Sequence, residues 1–259
     1  MVFTGKTSPL TAQGVANAAV SLGVDQPALW AVLTVETSGC GFLPDRRPKI
    51  LFERHWFSRL THGRFDADPS GISNSVAGGY GAGGAPQYDR LAQAMALDAD
   101  AALQSTSWGL GQIMGFNAVA AGCANVTALV AASQDSEDAQ LRAMAAFVQH
   151  ANLADSLRRG DWAQFALHYN GTDFQKNKYD QKLDLFHKRY LQGPMPDLTV
   201  RGVQLGLMVL GYGGNGFVDG WFGAATQRAL MRYQQQAGLP VSGAIDAATQ
   251  ARLWGDLGW

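Results

Sequence analysis

Two glutamates carry the first chemical suggestion in this chain. Glu36 follows Leu29, Val32 and Leu33 at helical spacing, so the four side chains share one helix face. A carboxylate ending an apolar stripe is costly to ionise unless it is paired. Burial raises its pKa toward the range in which a general acid works near neutral pH. The competing reading is a glutamate at a helix end that leans into water past Gly39. Glu53 closes the short apolar run of Lys49-Ile-Leu-Phe-Glu-Arg-His55, where it either faces a cleft or pairs with Arg54 or Arg46. Two carboxylates on neighbouring elements are the equipment for cleaving a glycosidic bond, one protonating the leaving oxygen and the other serving a water or a cation.

Ser105-Thr-Ser-Trp-Gly-Leu-Gly-Gln-Ile-Met-Gly115 is the most specific local string. Its small hydroxyls, Thr106 and Ser107, and its glycines let backbone approach a ligand closely. Trp108 offers either a flat face for a sugar ring or a packed core side chain. Leu167-His-Tyr-Asn-Gly171 brings the Tyr169 hydroxyl and the Asn170 amide to a helix end. Three other patterns fail on context. Gly79-Tyr-Gly-Ala-Gly-Gly84 has the spacing of a dinucleotide fingerprint, but no strand precedes it and Pro86 follows. Cys40 with His168 and Asn170 would spell a cysteine peptidase, yet Cys40 follows a helix C-terminus, where the dipole disfavours a thiolate. The five histidines include no close metal-ligand pair, so a zinc amidase is not expected.

The elements that must position these residues read mainly as helices. Helical patterns cover 10–22, 27–37, 87–103, 109–120, 137–159, 162–169 and 176–191, with a turn or two over 54–61. Residues 66–86 read as loop, punctuated by six glycines. Residues 192–198, Gln-Gly-Pro-Met-Pro-Asp-Leu, mark a boundary. Beyond it Val200, Val203, Leu207 and Leu210 begin a second helical pattern, followed by helices near 224–237 and 247–253. Asp219-Gly-Trp-Phe-Gly-Ala-Ala-Thr226 recurs loosely as Ser242-Gly-Ala-Ile-Asp-Ala-Ala-Thr249, two units that must pack on one another.

The chain has 259 residues, 47% hydrophobic and 16% charged, with net charge −1. That is enough for a core without disulfides and too neutral for broad phosphate neutralisation, so no nucleic-acid partner is expected. The stretch 118–132 is too short and too interrupted for a membrane span, and the N-terminus is not a secretory signal. Cys40 and Cys123 either pair or stay free; spacing leaves both open.

These strings resemble two families. Leu33-Thr-Val-Glu-Thr-Ser-Gly39, Ile50-Leu-Phe-Glu-Arg-His55, Gly78-Gly-Tyr80 with Gln87-Tyr88, Ser107–Gly115 and Tyr169-Asn-Gly171 are similar to the N-acetylmuramidase domain of endolysins from phages of Gram-negative bacteria. The Ser107–Gly115 string also resembles a signature of goose-type lysozymes and lytic transglycosylases. From Val200 to Trp254 the tail is similar to a small peptidoglycan-binding domain, through Gln204, Leu210-Gly-Tyr212, Asp219-Gly-Trp-Phe-Gly223, Thr226, Tyr233-Gln234 and Gly238-Leu239, with Tyr233 and Ser242 departing from the usual residues.

The resemblance implies a mainly α fold: a lysozyme-like catalytic domain over 1–191, a linker over 192–198 and a three-helix peptidoglycan-binding module over 199–259. It implies cleavage of the β-1,4 bond between N-acetylmuramic acid and N-acetylglucosamine, with no metal and no cofactor. Glu36 takes the place of the general acid and Glu53 that of the second carboxylate. Gln112, Tyr169 and Asn170 take the places of residues that hold the sugar, with Thr106, Ser107 and Trp108 beside them. Asp219, Phe222, Thr226, Tyr233 and Gln234 are the wall-binding candidates. The alternatives are a lytic transglycosylase and a non-catalytic wall-binding or virion protein. A monomer is expected, waiting in the host cytoplasm for a membrane-permeabilising partner before it reaches periplasmic peptidoglycan, without membrane insertion. Treated as a tethered binder, the tail is expected to be dispensable for the chemistry itself.

Overall fold

Helix α1, Ala12–Leu22, starts where Thr11 can cap it: the threonine hydroxyl accepts from Gly14 N at 2.9 Å. Gly23 ends it in the left-handed conformation, φ 64°. A tight connection leads to α2, Gln26–Thr37. In the computed structural model the described residues are 2–37, 39–171, 175, 177–213 and 217–259, with the side chains of Thr37 and Asn170 left out.

Ile50–Phe52 forms strand β1, and Glu53 leads into α3, Arg54–Leu60. Where one helix is expected over 87–103 there are two, α4 Pro86–Leu97 and α5 Ala99–Gln104. Asp98 separates them, because its carboxylate caps the second helix by accepting from Ala101 N at 3.1 Å. The α-helix expected over 109–120 gives way to a hairpin turn and a short 3-10 helix, Gly115–Asn117. Thr106–Trp108 is β2 and Ile113–Met114 is β3, joined by a turn in which Gly109 (φ 67°) and Gln112 (φ 48°) are both left-handed. Two left-handed residues cannot continue a right-handed helix. The three short strands form one antiparallel sheet, order β1-β2-β3, with Ile50 opposite Trp108 and Ser107 opposite Met114.

Helix α6, Val126–Asp135, occupies part of the apolar stretch that sequence patterning leaves unassigned. The pattern over 137–159 resolves into α7, Glu137–His150, and α8, Ala154–Arg158. Then come α9, Trp162–Asn170, and α10, Tyr179–Gln192, which lies along α2. Leu22, Leu29, Val32, Phe52, Phe57, Leu91, Leu110, Leu141, Met144, Phe165 and Leu183 meet in the main core. No helix among the described residues is long and apolar enough to cross a membrane.

The tail folds as α11 Leu198–Val209, α12 Ala224–Gln236 and α13 Ala247–Leu257, around Val203, Leu207, Leu230, Tyr233, Leu253 and Leu257. The internal echo has a shared device. Gln204 accepts from Asp219 N and Gly220 N and donates to the Thr226 hydroxyl at 3.0 Å. Gln234 accepts from Gly243 N and donates to the Thr249 hydroxyl at 3.0 Å. Each buried glutamine thus satisfies the turn that starts the following helix.

This tail is not merely tethered. Leu205, Met208 and Val218 bury against Cys40 and Phe42 of the catalytic part in one continuous cluster. Arg201, on α11, forms a buried ion pair with Glu137 at the start of α7. Arg46 donates to Leu257 O, and the Trp259 indole donates to Lys6 O at 3.0 Å. Even the connecting segment packs, with Pro196 buried and Asp197 N donating to Gly220 O.

Candidate active site

Glu36 sits half-buried in the last turn of α2, following the buried Leu29, Val32 and Leu33 on its face. Tyr179, the first residue of α10, donates its hydroxyl to Glu36 Oε1. Tyr169 approaches from α9. Burial, and then the Glu36 carboxylate, push its phenol well above the ordinary range, so it remains a neutral donor. That donor is used on Gly111 O at 2.8 Å. Gly111 belongs to the β2–β3 turn, so three distant segments (the α2 end, α9 and the hairpin) meet around Glu36.

The hairpin is wired from within. Ser107 Oγ lies 3.0 Å from Gln112 Oε1 and 3.4 Å from Leu51 O, and Gln112 Nε2 donates to Gly109 O at 2.7 Å. Gln112 therefore shapes the turn with its own amide. Below it, Gln140 on α7 accepts from Leu110 N at 2.7 Å and donates toward Gly41 O at 3.4 Å. Gly41 is closely packed here: a Cβ would fall 1.8 Å from Gln140 Oε1 and 3.0 Å from Leu110 N, so a larger residue would have to displace the Gln140 amide.

Glu53 is half-buried between β1 and α3, with its own N–H donating to Ser105 O at 3.0 Å. Burial raises its carboxyl above the ordinary range. Its Oε2 lies 3.3 Å from His55 Nδ1. Burial, and then Arg59 and Arg54, push the His55 pKa down, so the ring is neutral at pH 7 and does not act as a fixed counter-charge. Among the described residues neither expected arginine pairs with Glu53. The Arg54 guanidinium lies against Gly79, and Arg46 points to Leu257 O.

Two expected cleft residues are corrected. Thr106 is fully buried and donates to Ala102 O at 2.9 Å. Trp108 is 2% exposed, its indole donates to Leu103 O, and its ring lies 5.8 Å from that of Phe3. The reason is strand alternation: residues two apart in β2 point to the same face, and that face is the core. Ser107 takes the opposite face and, itself only 4% exposed, joins the hairpin wiring. Asn170 ends α9, and its side chain lies outside the described residues.

In the tail, Thr226, Tyr233 and Gln234 are buried and hold the module together; the Tyr233 hydroxyl donates to Asp256 at 2.9 Å. Asp219 braces its own turn by accepting from Trp221 N and Gln204 Nε2. Phe222 alone of the five presents an exposed apolar side chain. Sequence reading missed Tyr179 and the α7 pair Glu137 and Gln140. Those last two are polar residues three apart on the face that also carries Leu141 and Met144, which was a legible signal. Cys40 is buried, and burial, then Glu137, push its thiol pKa up, the opposite of what a nucleophilic thiolate needs. Cys40 and Cys123 are both free.

Residues 25–191 match the N-acetylmuramidase family model, and residues 197–253 match that of a putative peptidoglycan binding domain. Among solved structures, the chain is similar to Burkholderia AP3 phage endolysin, at 44% identity over 71% of each chain, with a TM-score of 0.66. No curated protein matches it. With a glutamate-ended helix packed along α10, a small antiparallel sheet, and a peptidoglycan-binding fold docked on the same domain, the chain belongs to the N-acetylmuramidase family as a cell-wall lytic enzyme with a C-terminal peptidoglycan-binding domain.

Proposed function

We propose that the protein hydrolyses the β-1,4 bond between N-acetylmuramic acid and N-acetylglucosamine, with Glu36 protonating the glycosidic oxygen and Glu53 directing a water or stabilising the oxocarbenium ion. The observation that carries this reading is the setting of Glu36: a carboxylate half-buried at the end of an apolar helix face, bonded by Tyr179 and near Tyr169. A neutral phenol donor steadies the carboxyl in one orientation without adding a charge. Ser107 and Gln112 act by shaping the hairpin that borders the cleft, and Tyr169 by fixing that hairpin to α9. No step requires a metal or cofactor. Mass spectrometry of digested murein tests the chemistry: hydrolysis leaves reducing ends, whereas predominant 1,6-anhydro ends would convert the assignment to a transglycosylase.

Residues 1–191 form the catalytic unit in this reading, and 199–259 engage the wall. An open groove of about 640 Å³ on the module, lined by Tyr212, Phe217, Arg228, Met231, Arg232 and Val241 among others, offers apolar and basic surface for that contact. With its endolysin neighbour as support, the protein is a monomeric lysis enzyme held in the host cytoplasm until a partner opens the membrane. It then acts on Gram-negative periplasmic peptidoglycan. Residues 199–259 hold four basic against three acidic side chains, and the preceding part sixteen against eighteen, so no cationic segment equips it to breach an anionic outer membrane. Added protein should therefore clear permeabilised Gram-negative cells rapidly and intact cells hardly at all. Turbidity measurements on the two preparations decide it, and equal clearing would sink this part of the reading.

A further inference from the structure

The segment that leaves the Glu36 helix is gripped from the wall-binding module. Arg201 donates to Gly39 O at 2.9 Å and forms two bonds with the Glu137 carboxylate, of which the one to Oε1 is 2.7 Å. Glu137 in turn accepts from Gly41 N at 2.9 Å and from Leu10 N at 3.1 Å. Glu137 is wholly buried and Arg201 3% exposed. One carboxylate therefore joins the N-terminal segment, the post-α2 segment and the module, while Gln140, one turn along the same helix, joins that segment to the β2–β3 hairpin. A cavity of about 100 Å³, lined by Thr34, Gly39, Tyr190, Arg201 and Trp221 among others, runs along this seam behind the α2 end.

We infer that Arg201 and Glu137 are positioning residues for the reaction: the docked module sets the chain around Gly39–Gly41, and through it the orientation of Glu36 toward the hairpin. The inference rests on the muramidase reading above and adds to it that the binding module is part of the catalytic geometry. Two features make the link rigid. A buried ion pair that loses one partner leaves an uncompensated charge, so the pair has no cheap half-open state. And Arg201 spans the Glu137 carboxylate and the Gly39 carbonyl with one planar fork, which a lysine ammonium cannot reproduce.

The test uses the full-length protein and a soluble glycan fragment too short to reach the module, so that wall binding cannot contribute to the rate. Arg201→Met is expected to lower kcat on this fragment by about tenfold or more while KM changes little, at a temperature where circular dichroism shows the variant folded. Arg201→Lys, which keeps the charge and loses the fork, should recover only part of that loss. Should Arg201→Met fail to fold, Leu205→Ala and Met208→Ala loosen the same interface without leaving a buried charge. They are expected to lower kcat in a graded way, again at nearly constant KM. Wild-type kcat in a folded Arg201→Met, or in both interface variants, overturns the inference and leaves the muramidase reading intact. Failure of the wild-type protein to cleave the fragment refutes that reading, and this inference with it.

Discussion

Replacing Glu36 by glutamine should remove lytic activity by roughly 10² to 10⁴-fold, the range a positioned general acid contributes, without unfolding the protein. The amide keeps the size of the side chain and an oxygen that can accept from Tyr179, so the contact that holds the carboxyl survives while the proton to be donated is lost. Turbidity decrease of permeabilised cells gives the activity, and thermal unfolding checks the fold. Activity within a few-fold of wild type would remove Glu36 from the mechanism.

Glu53→Gln is expected to have the second largest effect, about 10²-fold or more if the carboxylate serves the attacking water. It carries a pH signature that a structural role lacks. Burial raises the Glu53 pKa, and a base works only when deprotonated, so wild-type activity should fall as pH drops through a value above the ordinary glutamate range. The variant should lose that acid limb along with its rate. A mild effect with an unchanged pH profile would reduce Glu53 to a structural neighbour of His55 at the start of α3.

The legibility of this site in sequence was uneven for physical reasons. Glu36 was readable because a helix face repeats on a period that three buried residues had already set. The tail was readable as three helices because its echo carries turn glycines and cap residues at matching places. The β2–β3 hairpin was not. Between Trp108 and Met114 only the left-handed backbone at Gly109 and Gln112 separates a hairpin from a helix, and a glutamine in that conformation gives no local signal. Thr106 and Trp108 were misplaced for the same reason, since the face a residue takes in a strand depends on recognising the strand. The Glu137–Arg201 pair spans 64 positions and could not be paired by spacing, although a glutamate and a glutamine on an apolar helix face did mark α7 as unusual.

The shared cluster of Cys40, Phe42, Leu205, Met208 and Val218 also changes what the wall-binding module can do for the enzyme. A module on a flexible leash raises the local supply of bonds in every direction within its reach, and the cleft chooses among them freely. A module fused into the flank of the catalytic domain works as a fixed jig. Once it has seated on the wall, the cleft addresses a single offset and a single heading from the point of attachment, and reaching the next bond requires the whole particle to let go and reseat. Turnover on sacculi is then tied to release of the anchor, so tighter wall binding would slow the enzyme on its natural polymer even as it improved its hold.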